Sequence, residues 1–212
     1  MTPEQETPPT VGAILAGGLA RRLGGGDKAL RMIGGRTVLS RMLDRLIPQV
    51  TQLMLNANDD PRRFQGVGLP VVADSLSDHP GPLAGVLAAL EWTALSAPEI
   101  EWVVTVPGDT PFIPRDLVPR LHARRQRESA ILACAGSRGR SHPVVALWPV
   151  SIRGALRHAV AKDGVRKVDK FMQGYSCSVV EWGTEPVDPF FNVNTPADLI
   201  EADHLVAVCP GL

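Results

Sequence analysis

Five glycines, Gly17, Gly18, Gly24, Gly25 and Gly26, enclose Arg21 and Arg22, and the run closes on Asp27-Lys28. Glycine lets a backbone approach a ligand closely and turn its N–H groups inward. The cations neutralise phosphate charge. The combination reads as a cradle for a polyphosphate. It is not a P-loop, because Lys28 lacks a preceding Gly and a following Ser or Thr. It is not a dinucleotide fingerprint either, because Gly17-Gly18-Leu19 does not supply G-x-G-x-x-G. The bland alternative is a glycine-rich surface loop.

Asp109 is the second candidate. It follows a very apolar run and sits in a turn bracketed by Pro107 and Pro111. A lone carboxylate facing a phosphate loop suits Mg²⁺, which takes one or two carboxylates plus phosphates and water. A turn-capping role is the alternative. Asn56 donates and accepts, so it suits a base edge or a ribose. Asp74 only accepts, so it suits guanine N–H groups or ribose hydroxyls. Either could equally cap a turn. Arg138, Arg140 and His142 form a basic cluster that could receive an anionic acceptor. A solvated loop is the alternative, and a lone His is more often structural than catalytic. Asn192 and Asn194, two apart, share a face if extended and precede a helix N-terminus, where anions are welcome. Asn194 could instead satisfy backbone at the turn.

These residues need a frame that brings them together. Apolar runs at Val11–Ala16, Leu53–Asn56, Leu69–Ala73 and Trp102–Val106 alternate with helical patterns. That order predicts an α/β fold, a three-layer, mostly parallel Rossmann-like sheet with helices on both faces. In open α/β sheets ligands bind at the carboxyl ends of strands. The four runs end at the glycine loop, Asn56, Asp74 and Asp109. Thr37 is expected to cap a helix that Pro48 stops, and Asp116 to cap another. Strands are also expected at Ala130–Cys134, Pro143–Leu147 and Ser178–Glu181. Helices are expected at Ser151–Ala161 and Val165–Met172. In the last helix Thr195 is the expected N-cap and Pro196 the first position, with Leu199, Ile200 and Leu205 turned inward. Lys162, Arg166, Lys167 and Lys170 are read as solvent-facing.

The chain of 212 residues is 44% hydrophobic and 21% charged, the balance of a globular protein able to bury a full core. A net charge of +0 gives no argument for nucleic acid or an anionic membrane. Cys134, Cys177 and Cys209 are odd in number and scattered, which supports neither a zinc site nor a disulfide framework. A reducing cytoplasm and a monomer are expected. Residues 1–10 are polar with three prolines and are read as a disordered lead-in, and 11–212 as a single domain.

The first motif resembles the nucleotidyltransferase signature L-A-G-G-x-x-x-R-M-G-x-x-K. Leu15, Ala16, Gly17, Gly18, Arg22, Gly24 and Lys28 fall in register, with Leu23 in place of Met. Asn56-Ala-Asn58, Asp74-Ser75, Pro80-Gly-Pro-Leu-Ala-Gly85, Asp109-Thr-Pro111, His142-Pro143 and Asn192-Val-Asn-Thr-Pro196 follow in order. Together they resemble the molybdenum cofactor guanylyltransferase family from about residue 11 to the last helix. The resemblance implies transfer of GMP from GTP to the terminal phosphate of the molybdopterin cofactor, with pyrophosphate leaving. It implies that Leu15, Ala16, Gly17 and Gly18 hold the guanine and phosphates and that Lys28 holds phosphates. Asn56 and Asp74 would bind the nucleoside, and Asp109 both Mg²⁺ and GTP. Lys28, Asp109 and Arg22 would be catalytic, steadying charge on the α-phosphate and the leaving group. His142, Asn192 and Asn194 would lie on the acceptor or metal side. Proteins that supply or receive the cofactor are further expected partners.

Two rival readings remain at this level. One is a cytidylyl- or sugar-phosphate nucleotidyltransferase of the same fold. The other is a GTP-binding module without catalysis, against which the joint presence of Lys28 and Asp109 argues.

Overall fold

The computed structural model describes residues 7–17, 27–58, 60–76, 81–209 and 211. The expectations for Gly18, Arg22 and the rest of residues 18–26 lie outside the described residues. His79 and Pro80 do too.

Strand β1 (Thr10–Leu15) lies inside the sheet, as suits a strand buried on both faces. It pairs in parallel with β4 (Gln52–Asn56) on one side and β6 (Trp102–Pro107) on the other. It begins one residue before the domain boundary read from the sequence. Strands β5 (Val71–Val72), β7 (Leu132–Ser137), β8 (Arg140–Pro149) and β9 (Cys177–Trp182) complete a seven-stranded sheet of order β5-β4-β1-β6-β8-β7-β9. A small hairpin, β2 (Met32–Ile33) and β3 (Arg36–Thr37), stands apart from it.

Helices α1 (Val38–Leu46), α3 (Leu117–Arg127) and α6 (Pro196–Val208) pack on one face. Helices α2 (Pro82–Ser96), α4 (Arg153–Ala161) and α5 (Val168–Met172) cover the other. The sheet residues alternate accordingly: Val11, Ala13 and Val103 face α2, whereas Ile14, Val104 and Val106 face α1. The Thr37 hydroxyl accepts from Ser40 N–H at 3.0 Å and so caps α1, and a 3-10 turn containing Pro48 ends it. No described helix is long and apolar enough to cross a membrane.

The predicted sheet is present, with four departures. Strand β8 runs antiparallel to β6 and β7, because Arg138 and Gly139 make a two-residue turn with φ of 52° and 69°. Arg138, Arg140 and His142 therefore belong to a hairpin rather than a loop. Strand β5 is reduced to two residues by Gly68, at φ 71°, and Pro70 just before it. Asp116 occupies the N-cap of α3 without capping it, since its carboxylate accepts from Trp182 Nε1 at 2.9 Å. Ile200 is 71% exposed, while Leu199 and Leu205 do turn toward the core. Lys162, Arg166, Lys167 and Lys170 are exposed, as expected.

Candidate active site

The carboxyl ends of β1, β4 and β6 meet along one rim. Ala16 N–H donates to Asn56 O at 2.8 Å, and Gly108 N–H donates to Leu15 O at 2.9 Å, so the three strand ends are laced together. A Cβ on Gly108 would lie 3.1 Å from Ala16 Cα and from Leu15 O. Its absence lets the β6 turn close on β1 and bring Asp109 beside Leu15, Ala16 and Lys28.

Lys28 enters from the opposite side, on a short 3-10 turn of residues Lys28–Leu30. Its Nζ donates to Asp109 Oδ2 at 2.9 Å and to the Asn194 carboxamide oxygen. Asn192 Nδ2 donates to the other carboxylate oxygen, Asp109 Oδ1, at 2.8 Å and to Thr110 Oγ1 at 3.0 Å. Val193 N–H donates to Asp109 O at 2.8 Å. The two asparagines thus bracket the ion pair from one extended segment, sharing a face as their spacing predicts. The Asn194 side chain serves Lys28, not the turn. The α6 N-terminus is closed to anions: Asp198 Oδ2 accepts from Asn194 and Thr195 N–H, each at 2.8 Å, and Thr195 caps Asp198 N–H at 3.2 Å.

On one side of this centre a cleft of about 360 Å³ is lined by Leu15, Gly17, Asn56, Asn58, Asp74 and Gly81 among others. Asp74 accepts from Asn56 Nδ2 at 2.9 Å and Asn58 Nδ2 at 2.8 Å, while its own N–H donates to Asn58 Oδ1 at 2.9 Å. The carboxylate is held in place with further lone pairs to offer. Gly81, at φ 126°, starts α2 in a conformation that excludes side chains, and Pro82 follows at its first position.

On the other side a cleft of about 380 Å³ is lined by Asp109, His142, Val144, Phe190, Asn192 and Asn194 among others. Between the two, Leu15, Ala16, Lys28, Gly108 and Asp109 enclose a crevice of about 60 Å³. Burial lowers the His142 pKa, against the opposing pull of Asp188 and Glu181. Its ring is therefore neutral near pH 7, and the positive charge of the cluster expected from the sequence is left to Arg138 and Arg140.

Four contributing residues are not among the candidates read from the sequence. Arg63 pairs with Asp27 at 3.1 Å and donates to Asn58 O at 2.5 Å, tying the Lys28 turn to the Asp74 network. Asn58 stands in a motif with Asn56 and could have been found there. Ser137 and Asp188, which hold His142, stand in no motif.

A cationic turn and a strand-end carboxylate stand between two clefts at the rim of a mostly parallel sheet, a place where α/β proteins bind ligands, and the chain is similar to nucleotidyltransferases. The MobA-like NTP transferase domain family matches residues 12–176. The chain is 55% identical over 206 residues to a molybdenum cofactor guanylyltransferase of Nitrobacter hamburgensis, covering 97% of this chain and 99% of that one. It is 54% identical to the one of Rhodopseudomonas palustris strain BisB5, covering 96% and 97%. Its fold is similar to the crystal structure of molybdopterin-guanine dinucleotide biosynthesis protein A from Archaeoglobus fulgidus, with a TM-score of 0.71, 22% identity and coverage of 96% and 100%. The chain belongs to the molybdenum cofactor guanylyltransferase family.

Proposed function

We propose that the chain transfers GMP from GTP to the terminal phosphate of the molybdenum-molybdopterin cofactor, giving the guanine dinucleotide form and pyrophosphate. The observation that carries this is the Lys28–Asp109 pair, at 2.9 Å, standing between the two clefts. GTP takes the Asn56–Asp74 side and the pterin takes the His142 side.

A phosphate monoester has a second pKa of about 6, so the attacking oxygen is already ionised near neutral pH and needs no strong base. The protein contributes alignment and charge neutralisation. Phosphate oxygens are stronger acceptors than the Asn194 amide, so Lys28 turns to them while Asp109 and Asn194 keep it within reach. Arg22 is assigned to the departing pyrophosphate, and Leu15, Ala16, Gly17 and Gly18 to the nucleotide backbone cradle.

Asp109 is one carboxylate, and no group of three or more His, Cys, Asp or Glu side chains assembles as a metal site among the described residues. That donor set fits Mg²⁺, which is held largely by nucleotide phosphates and water. Asp109, with the Asn194 amide oxygen beside it, would hold the ion. When bound, Mg²⁺ supplies charge stabilisation at the phosphates. A monomer working in the cytoplasm is part of the same proposal.

The test is pyrophosphate release with GTP, CTP, ATP and UTP in turn, with and without molybdenum-loaded molybdopterin, and with and without Mg²⁺. Release with GTP only, requiring pterin and Mg²⁺, is expected. Release with CTP would move the chain to cytidylyl transfer. GTP binding with no release would leave a binding module.

A further inference from the structure

The Ser137 hydroxyl has one proton, and it is committed: Ser137 Oγ donates to Asp188 Oδ2 at 3.0 Å. Asp188 is anchored in turn, with Oδ1 accepting Phe190 N–H at 3.0 Å and Arg138 Nε lying 3.5 Å from Oδ2. The 2.8 Å contact between Ser137 Oγ and His142 Nε2 must therefore be a donation from the ring. In the neutral imidazole this leaves the proton on Nε2 and a lone pair on Nδ1. No described residue donates to Nδ1. The ring leans on Phe190, with centroids 4.7 Å apart, beside the apolar part of the cleft lining, Pro143, Val144 and Val145, while Asp109, Asn192 and Asn194 line its polar part.

We propose that Ser137 and Asp188 are positioning residues that lock His142 in the Nε2–H tautomer, so that its Nδ1 accepts a hydrogen bond from an N–H on the acceptor's heterocycle. The inference rests on reading this cleft as the acceptor side, and deepens that reading. A lone pair repels phosphate oxygens and attracts N–H groups. The apolar walls suit a flat ring. The His142 cleft thus recognises the ring of the acceptor by a lactam or amino N–H, and leaves the acceptor's phosphate to Lys28.

The experiment uses the full chain labelled with ¹⁵N-histidine and reads the His142 tautomer by long-range ¹H–¹⁵N correlation, alongside KM for molybdenum-molybdopterin and for GTP. The wild type should show Nε2–H. In Asp188→Asn the new amide keeps its oxygen on Phe190 N–H and turns its NH₂ to Ser137. That forces the hydroxyl to donate to Nε2 and moves the ring proton to Nδ1. The acceptor KM should then rise about tenfold, the worth of one hydrogen bond, while the GTP KM stays unchanged. Ser137→Ala provides a second variant, in which the tautomer becomes mixed and the acceptor KM rises similarly. An Nδ1–H wild type, an unmoved tautomer in Asp188→Asn, or a moved tautomer with unchanged acceptor KM overturns the proposal. Absence of GMP transfer by the wild type would overturn the proposed function instead. The tautomer of the free enzyme would still decide whether the relay exists.

Discussion

The Asn56 carboxamide oxygen occupies the space that a Cβ on Gly85 would need. The side chain that ends β4 is thus packed directly on the helix starting at Pro82. It is held there by Asp74 and by Val72 O, at 2.9 and 3.1 Å from Nδ2. Gly85→Ala should push Asn56 off this position. The expected result is about a tenfold rise in KM for GTP, with an overpacking loss of about 1–3 kcal/mol in stability. Nucleotide titration and thermal melts would measure the two effects, and an unchanged GTP KM would separate Asn56 from the nucleoside.

Lys28→Ala should lower kcat by roughly a hundredfold or more if the ammonium stabilises the transition state. Asp109→Ala should remove most activity. Retained Mg²⁺-dependent turnover in the second variant would count against its assignment to the metal.

Asn192→Ala removes the amide that fixes Asp109 Oδ1 at 2.8 Å but leaves the carboxylate present. A loss of about tenfold in kcat is expected, smaller than for Asp109→Ala. Single-turnover rates at saturating GTP and acceptor would read it, and equal losses in the two variants would mean that Asn192 touches substrate itself.

At the opposite end of the sheet, His122 is buried against Trp102, and its Nε2 lies 2.8 Å from Thr10 Oγ1. Thr10 gives its proton to Pro8 O at 2.7 Å, so the ring donates to Thr10 from Nε2, and its Nδ1 is buried with no hydrogen-bond partner among the described residues. Burial, reinforced by nearby Arg125, lowers the His122 pKa from 6.5 to about 4. The folded pKa is below the unfolded one, so the stabilisation is complete above pH 6.5 and is lost as pH falls toward 4. The loss amounts to about 3 kcal/mol. Urea melts between pH 7.5 and 4 should show this slope in the wild type and a flatter one in His122→Gln. Equal slopes would remove His122 as its source.

Local signals were readable in the chain itself. Thr37 and Thr195 cap the helices they precede, because capping needs only a hydroxyl and the next three residues. Asp109 was readable because an apolar strand and two prolines leave its side chain one direction. Strand β8 reads like any other apolar run, and its direction follows from the Arg138-Gly139 turn, whose arginine is not among the residues that favour a positive φ. What else escaped is non-local. Ser137 and Asp188 gain meaning by meeting His142, 51 residues apart from each other in sequence. The hairpin β2–β3 turns at Gly34 and Gly35, but strands of two residues are too short for any periodicity. Ile200 misled because α6 buries only Ala202 fully, a stripe narrower than its apolar content suggests.

Lys28 finds its carboxamide partner Asn194 a full 166 residues later, just before α6, and Gly34 N–H donates to Asp203 on α6 itself at 2.6 Å. The Lys28 ammonium thus rests on two anchors far apart in sequence, Asp109 after β6 and Asn194 before α6. Docking of residues 192–208 on the sheet and completion of the cationic centre are one event, so a change that loosens α6, as at the Gly34–Asp203 contact, is felt at Lys28 without touching any residue that binds it.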